Sequence, residues 1–324
     1  MTTPWPIAIE DVLAARERLR PYLPPTPLRS YAALDAAAGA RLLVKHENFQ
    51  PTGSFKVRNG LSAMTALAPL RRARGVVAAT RGNHGLGLAW AGRALGAPVT
   101  VCVPLGNNPE KNEALRGLGV RLVESGRDYD ESVGVAERLV REEGLHLVHS
   151  TNDASVVAGA GTLALELLEQ EPAIEALVFS VGGGSQAVGA LTVARALRPG
   201  LPVYAVQAAG ASAIHDAWHL GAPVSKPSAD TFADGLATRN TYPFTFGALR
   251  EGLAGFVTVT DAEIAAAVLL VLRATHTLVE GAGAAGLAGC LGLRRALAGK
   301  TVGIVLSGAN IDRTTLARVL NGEI

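Results

Sequence analysis

From residue 76 to residue 306, short β-branched runs alternate with segments of helical period. The runs predict strands at 76–79, 99–103, 120–123, 146–149, 177–180, 203–206 and 302–306. The segments between them predict helices at 83–95, 109–118, 129–143 and 154–168. Such alternation argues for an α/β chain whose twisted, parallel-rich sheets are covered by helices on both faces. Upstream, 9–20 reads as an amphipathic helix closed by Pro21, 24–28 as an extended proline-rich stretch, and 41–45 as a strand. Residues 221–253, rich in Pro, Thr and Gly, read as a long ordered loop near a site.

In sheets of this kind ligands gather at the C-terminal ends of strands, beside helix N-termini. Four segments fall there. The first is Pro51-Thr52-Gly53-Ser54-Phe55-Lys56, where turn chemistry leads into a helix that Ser54 is expected to cap. A lysine in a first helical turn is electrostatically out of place, since the macrodipole favours anions there. Lys56 therefore has a reason to lose its proton, and a neutral amine is what Schiff-base chemistry needs. The plainer reading is a solvated lysine after a loop. The second segment is Thr80-Arg81-Gly82-Asn83-His84-Gly85, in which Asn83 and His84 could equally be capping residues. The third, Val181-Gly182-Gly183-Gly184-Ser185, lets backbone amides converge on a phosphate at the start of a helix, or makes only a tight turn. It is not a Walker motif, and it does not follow the Gly-x-Gly-x-x-Gly spacing cleanly. The fourth is Ser307-Gly308-Ala309-Asn310, where Ser307 could be a cap or turn residue. A phosphate cradle together with an activatable lysine suggests pyridoxal phosphate.

Composition narrows the partners. With 324 residues, 18% of them charged, and a net charge of +2, no basic face is expected to track nucleic acid. The apolar run 264–272 is too short to span a bilayer, and residues 1–10 show no secretory signal. Cys102 and Cys290, both in apolar surroundings, suit buried thiols in a reducing cytoplasm better than a disulfide or a metal site.

From Pro25-Thr26-Pro27-Leu28 to Ser307-Gly308-Ala309-Asn310 the chain resembles the serine/threonine dehydratase family of fold type II pyridoxal-phosphate enzymes, related to the tryptophan synthase β chain. Pro51-Thr52-Gly53-Ser54-Phe55-Lys56 is its most specific motif. The resemblance implies that Lys56 forms the Schiff base, that Phe55 packs beside the cofactor ring, and that Asn83 bonds the pyridine 3-oxygen. Gly182, Gly183, Gly184 and Ser185 would hold the phosphate, and Ser307 would meet the pyridine nitrogen. Thr80, with the amides of Gly82, Asn83 and His84, would take the substrate carboxylate. The family also implies a large cofactor-binding domain, 1–71 with 149–324, and a small mobile domain, 72–148. Three departures stand out. Ser185 replaces a fourth glycine. Arg81 stands where many relatives have serine or another small residue. Gln207 and Ala213 occupy the positions of acidic metal ligands, so no metal is expected.

The activity implied is β-elimination from a β-hydroxy amino acid, L-threonine or L-serine by default, giving a 2-oxo acid and ammonia. The alternatives are a bulkier or acidic substrate (phenylserine, hydroxyaspartate or a hydroxyectoine-derived amino acid), β-replacement, serine racemisation, or a vitamin carrier without turnover. Arg81, and Arg239 in the 221–253 segment, could instead favour a bulkier or acidic β-hydroxy amino acid, unless Arg81 turns outward to pair with a surface carboxylate. A guanidinium cannot serve as the second base that racemisation needs, so little racemase activity is expected. A cytoplasmic homodimer, with no nucleic-acid or membrane partner, completes the expectation.

Overall fold

The computed structural model describes residues 5–127 and 129–324. Among these residues ten strands form two sheets. In chain order they are β1 (Leu28–Arg29), β2 (Arg41–Lys45), β3 (Val76–Ala79), β4 (Val99–Val103), β5 (Arg121–Glu124), β6 (His146–Leu147), β7 (Ala176–Ser180), β8 (Val203–Ala208), β9 (Gly255–Val259) and β10 (Thr301–Val305). The larger sheet runs β1-β2-β10-β7-β8-β9 and the smaller β5-β4-β3-β6. Every pairing is parallel except that of β1 with β2. The last strand enters the middle of the larger sheet, with Ile304 opposite Val44 on one side and Val178 on the other.

The pleat sends alternate residues of one strand to opposite faces. Leu42 and Val44 therefore join a core with Val178 and Ile304, while Leu43 joins Leu177, Phe179 and Val305 on the other face. In the smaller sheet Val76, Ala78 and Val101 face one core, and Val77, Ala79 and Cys102 the other. Two-sided burial explains why these strands are continuous apolar runs.

A buried charge cluster anchors the helix that carries Lys56 (Lys56–Ala66). The Arg58 guanidinium, 1% exposed, donates to both oxygens of Glu47 at 2.8 and 2.9 Å and of Glu166 at 2.7 and 2.8 Å. Lys45 Nζ lies 2.9 Å from Glu166. Desolvation is met by fork-to-fork bonding, the arrangement that lets arginine stay charged inside a core.

The sequence reading needs three corrections. Ser54 does not cap the Lys56 helix; Phe55 holds that position, and Ser54 Oγ is buried without a partner among the described residues. The reason is tertiary: the backbone of Ser54 forms a bridge with Gly308, and the Phe55 amide donates to the Ser307 carbonyl at 3.0 Å. Residues 221–253 are not all loop. They contain a 3-10 turn, Asp234–Leu236, and a helix, Pro243–Gly252, that starts on the proline its first turn tolerates. The predicted strand 146–149 shrinks to the two residues of β6.

Candidate active site

The four segments singled out in the sequence line one cavity of about 350 Å³, at the C-terminal ends of β3, β7 and β10. Lys56, Thr80, Arg81, Asn83, the 182–185 loop and Ser307 all contribute to its wall.

Lys56 is the first residue of its helix. Its Nζ donates to the Ser150 carbonyl at 3.5 Å and lies 4.9 Å from the centre of the Phe55 ring. Among the described residues no carboxylate pairs with it. Burial without a counter-charge lowers its pKa from 10.5 to about 8. The neighbouring imidazole of His84 is neutral, its pKa lowered to about 3 by burial and then by the charge of Lys56. Its Nε2 donates to the Val148 carbonyl at 3.0 Å, and its Nδ1 has no partner among the described residues.

The glycine loop between β7 and the helix Ser185–Leu197 is shaped from outside. Thr238 and Thr245 hydroxyls donate to the carbonyls of Gly182 and Gly183, at 3.3 and 2.8 Å. With the carbonyls held back, the amides of Gly182, Gly183 and Gly184 find no acceptor among the described residues. Gly184 is left-handed at φ 97°, and a Cβ on Gly183 would lie 2.0 Å from Thr151 Oγ1. Only glycine fits both positions.

Beyond β3, the Gly82 amide is already bonded to Thr80 Oγ1 at 3.0 Å. Among the described residues, the open donors at this helix start include the amides of Asn83 and His84 and the Thr80 hydroxyl proton. Asn83 Nδ2 donates to Glu280 Oε1 at 2.6 Å, and Asn83 Oδ1 accepts from Asn310 at 2.7 Å. Burial raises the pKa of Glu280. Arg81 is exposed, contributes to the cavity wall and has no ion-pair partner among the described residues. Arg239 lines the same wall. Ser307 is 5% exposed at the end of β10, its backbone tied to Phe55.

Sequence reasoning missed Ser150, Thr151, Thr238, Thr245, Lys111, Asp234 and Glu280, which surround the four loops. Only Glu280 carried a signal, a carboxylate just before the glycine-rich helix Gly281–Gly292. Gln207 is buried, its Oε1 accepting from the His215 amide at 3.0 Å, and Ala213 opens the next helix. Among the described residues no cluster of His, Cys, Asp or Glu could hold a metal, and no helix is long and apolar enough to cross a membrane.

A cradle of open amides at a helix N-terminus and an amine with a lowered pKa, lining one cavity of about 350 Å³, fit a phosphorylated aldehyde. The family described as pyridoxal-phosphate dependent enzyme matches residues 19–308. An L-threonine ammonia-lyase of Thermotoga maritima is 34% identical over 97% of this chain and 78% of its own length. An L-threo-3-hydroxyaspartate ammonia-lyase of Saccharomyces cerevisiae is 32% identical over 97% and 96%. Among solved structures, maize serine racemase superposes with a TM-score of 0.93 at 29% identity, covering 98% of each chain. The serine racemase of Dictyostelium discoideum gives 0.89 at 30% identity, covering 95% of this chain and 99% of its own.

Proposed function

Because the chain belongs to the pyridoxal-phosphate dependent enzymes, within the serine/threonine dehydratase family, we propose that it eliminates water from a β-hydroxy amino acid and that water then hydrolyses the resulting imine, so that the net products are a 2-oxo acid and ammonia. L-Threonine or L-serine is the substrate of first choice. The observation that carries this reading is Lys56, an amine with a pKa near 8 that faces an amide cradle across one cavity.

Lys56, Phe55, Asn83, Gly182, Gly183, Gly184, Ser185 and Ser307 would hold the cofactor, and no metal is needed. When bound, pyridoxal phosphate supplies a carbonyl for the substrate amine and an electron sink for the bond broken at Cα. Lys56, once free and neutral, takes the Cα proton. Thr80, with the amides of Asn83 and His84, holds the substrate carboxylate, and the guanidinium of Arg81 bounds the side-chain end. Ser307 offers a hydroxyl to the ring nitrogen. Unlike a carboxylate, it does not favour a protonated ring, and a weaker sink favours elimination over transamination.

Residues 72–148 act as a smaller domain that closes over the substrate. In support, the smaller sheet lies within that span, and Lys111 and Glu110 reach across it to Asp234 and Arg313. A cytoplasmic homodimer belongs to the same reading; both cysteines are free and buried, as a reducing compartment allows.

One observation favours a second substrate. Arg81, a cation in the cavity wall, has no ion-pair partner among the described residues, which suits a β-hydroxy amino acid with an acidic side chain. Borohydride reduction and peptide mapping should find the pyridoxyl adduct on Lys56. A substrate panel should then release 2-oxo acid from L-threonine, L-serine or L-threo-3-hydroxyaspartate. An adduct confined to another lysine, or no oxo acid from any of the three, would overturn the proposal.

A further inference from the structure

Asn310 ends the last of the four loops, yet nothing in the chemistry above uses it. It does not line the cavity. Its Nδ2 donates twice, to the Thr52 carbonyl at 2.8 Å and to Asn83 Oδ1 at 2.7 Å. Asn83 Nδ2 in turn donates to Glu280 Oε1 at 2.6 Å, and both of these residues do line the cavity.

This chain of bonds has a direction. Which end of a side-chain amide is nitrogen is normally settled only by its partners. The Thr52 carbonyl can only accept, so the NH2 of Asn310 must face it. The second N–H of that group then needs an acceptor, and Asn83 must present its oxygen. The Asn83 NH2 is left turned to Glu280 and the cavity. A backbone carbonyl in the Lys56 turn thus fixes the polarity of a side chain on the far wall.

The geometry also holds Asn310 still. The Ala309 amide donates to the Gly53 carbonyl at 2.8 Å, and Gly53, at φ 67°, leaves room for the amide: a Cβ there would lie 2.7 Å from Asn310 Oδ1. The three side chains come from separate parts of the chain. Asn83 opens the helix after β3 of the smaller sheet, whereas Thr52, Glu280 and Asn310 belong to segments around the larger one.

We propose that Asn310 is a positioning residue that acts through Asn83, holding its amide with the NH2 toward the cavity as a donor to the ring oxygen of bound pyridoxal phosphate. The inference rests on the role given to Asn83 above. With the amide reversed, an oxygen would face both the Glu280 carboxylate and the ring oxygen, and two acceptors cannot bond each other.

The test is a double-mutant cycle on cofactor affinity. Cofactor-stripped wild type, Asn310→Ala, Asn83→Ala and the double variant are titrated with pyridoxal phosphate and followed by absorbance. Asn310→Ala should weaken binding roughly tenfold. In the Asn83→Ala background the same change should cost less than about twofold, because the group it positions is gone. Asn310→Asp keeps the shape but cannot donate to Thr52, so it should match the alanine variant even if that variant folds poorly. Wild-type affinity in both Asn310 variants overturns the inference, as does a loss that is equally large in both backgrounds, the mark of a merely structural role. A wild-type chain that takes up no cofactor on Lys56 would instead overturn the proposed function.

Discussion

Lys56 is a group whose folded-state pKa lies below its unfolded value, from 10.5 down to about 8, because burial disfavours its charge. Activity and stability both inherit this shift. Turnover needs the neutral amine, so kcat, which reports the substrate complex in which Lys56 is free, should rise with pH through about 8 and level off above it. A profile flat from pH 6.5 to 9.5 would mean that Lys56 is not the titrating base. The consequence for stability has the opposite sign. Below about pH 8 the lysine is protonated both folded and unfolded, and burying the ammonium destabilises the cofactor-free chain. That penalty fades between about pH 8 and 10.5, where the folded state alone has shed its proton. Lys56→Met should therefore stabilise the cofactor-free protein by up to about 3 kcal/mol at pH 7, with little gain left near pH 10.5. Denaturant melts at the two pH values check this, and equal gains at both would be inconsistent with the shift. Lys56 was legible in the sequence because its anomaly is local, a cation in a first helical turn. The shift itself comes from desolvation by the surrounding fold, which no short stretch of sequence displays.

Among the elements, the glycine loop depends most on its neighbours. Its carbonyls are held by Thr238 and Thr245, and a Cβ on Gly183 would collide with Thr151. Gly183→Ala should thus push the loop off its cradle geometry and lower cofactor affinity at least tenfold with the fold retained. Gly134, inside the helix Tyr129–Glu143 with nothing within 4 Å of an added Cβ, is the control. Alanine there should raise stability by roughly 0.5–1 kcal/mol and leave cofactor binding alone. Titration and thermal melts of both variants decide the matter; full affinity in Gly183→Ala would remove the cradle argument. The loop itself was readable, since three successive glycines between a strand and a helix are a local pattern. Thr238 and Thr245 were not, because they lie in the stretch 221–253, whose Pro, Thr and Gly content hides a helix. β9 was missed for a related reason: as an edge strand it is only partly buried, so its apolar signal is weak. The Asn83–Glu280 bond joins residues 197 apart in sequence, a distance over which no periodicity can report.

Across the full chain, the α/β class and the succession of most strands follow from the alternation of short apolar runs with helical ones. The sequence did not reveal the order of strands across the larger sheet. Parallel pairing is set by which faces can be buried together, and it placed the final strand, β10, between β2 and β7. This position has a consequence for synthesis. When β2 leaves the ribosome its partner does not yet exist, and β10 follows only after more than 250 residues. At about 5–20 residues per second, β2 waits on the order of ten to fifty seconds with an unpaired inner edge, and β7 about half as long. Such edges are templates for pairing with other chains. The nascent chain should therefore depend on chaperones until its last strand arrives, and the two halves of the site, Lys56 and Ser307, come together only then. A chain ended just before β10 should be recovered as aggregate. Recovery of that fragment as a soluble, cofactor-binding protein would show that the larger sheet closes without its central strand.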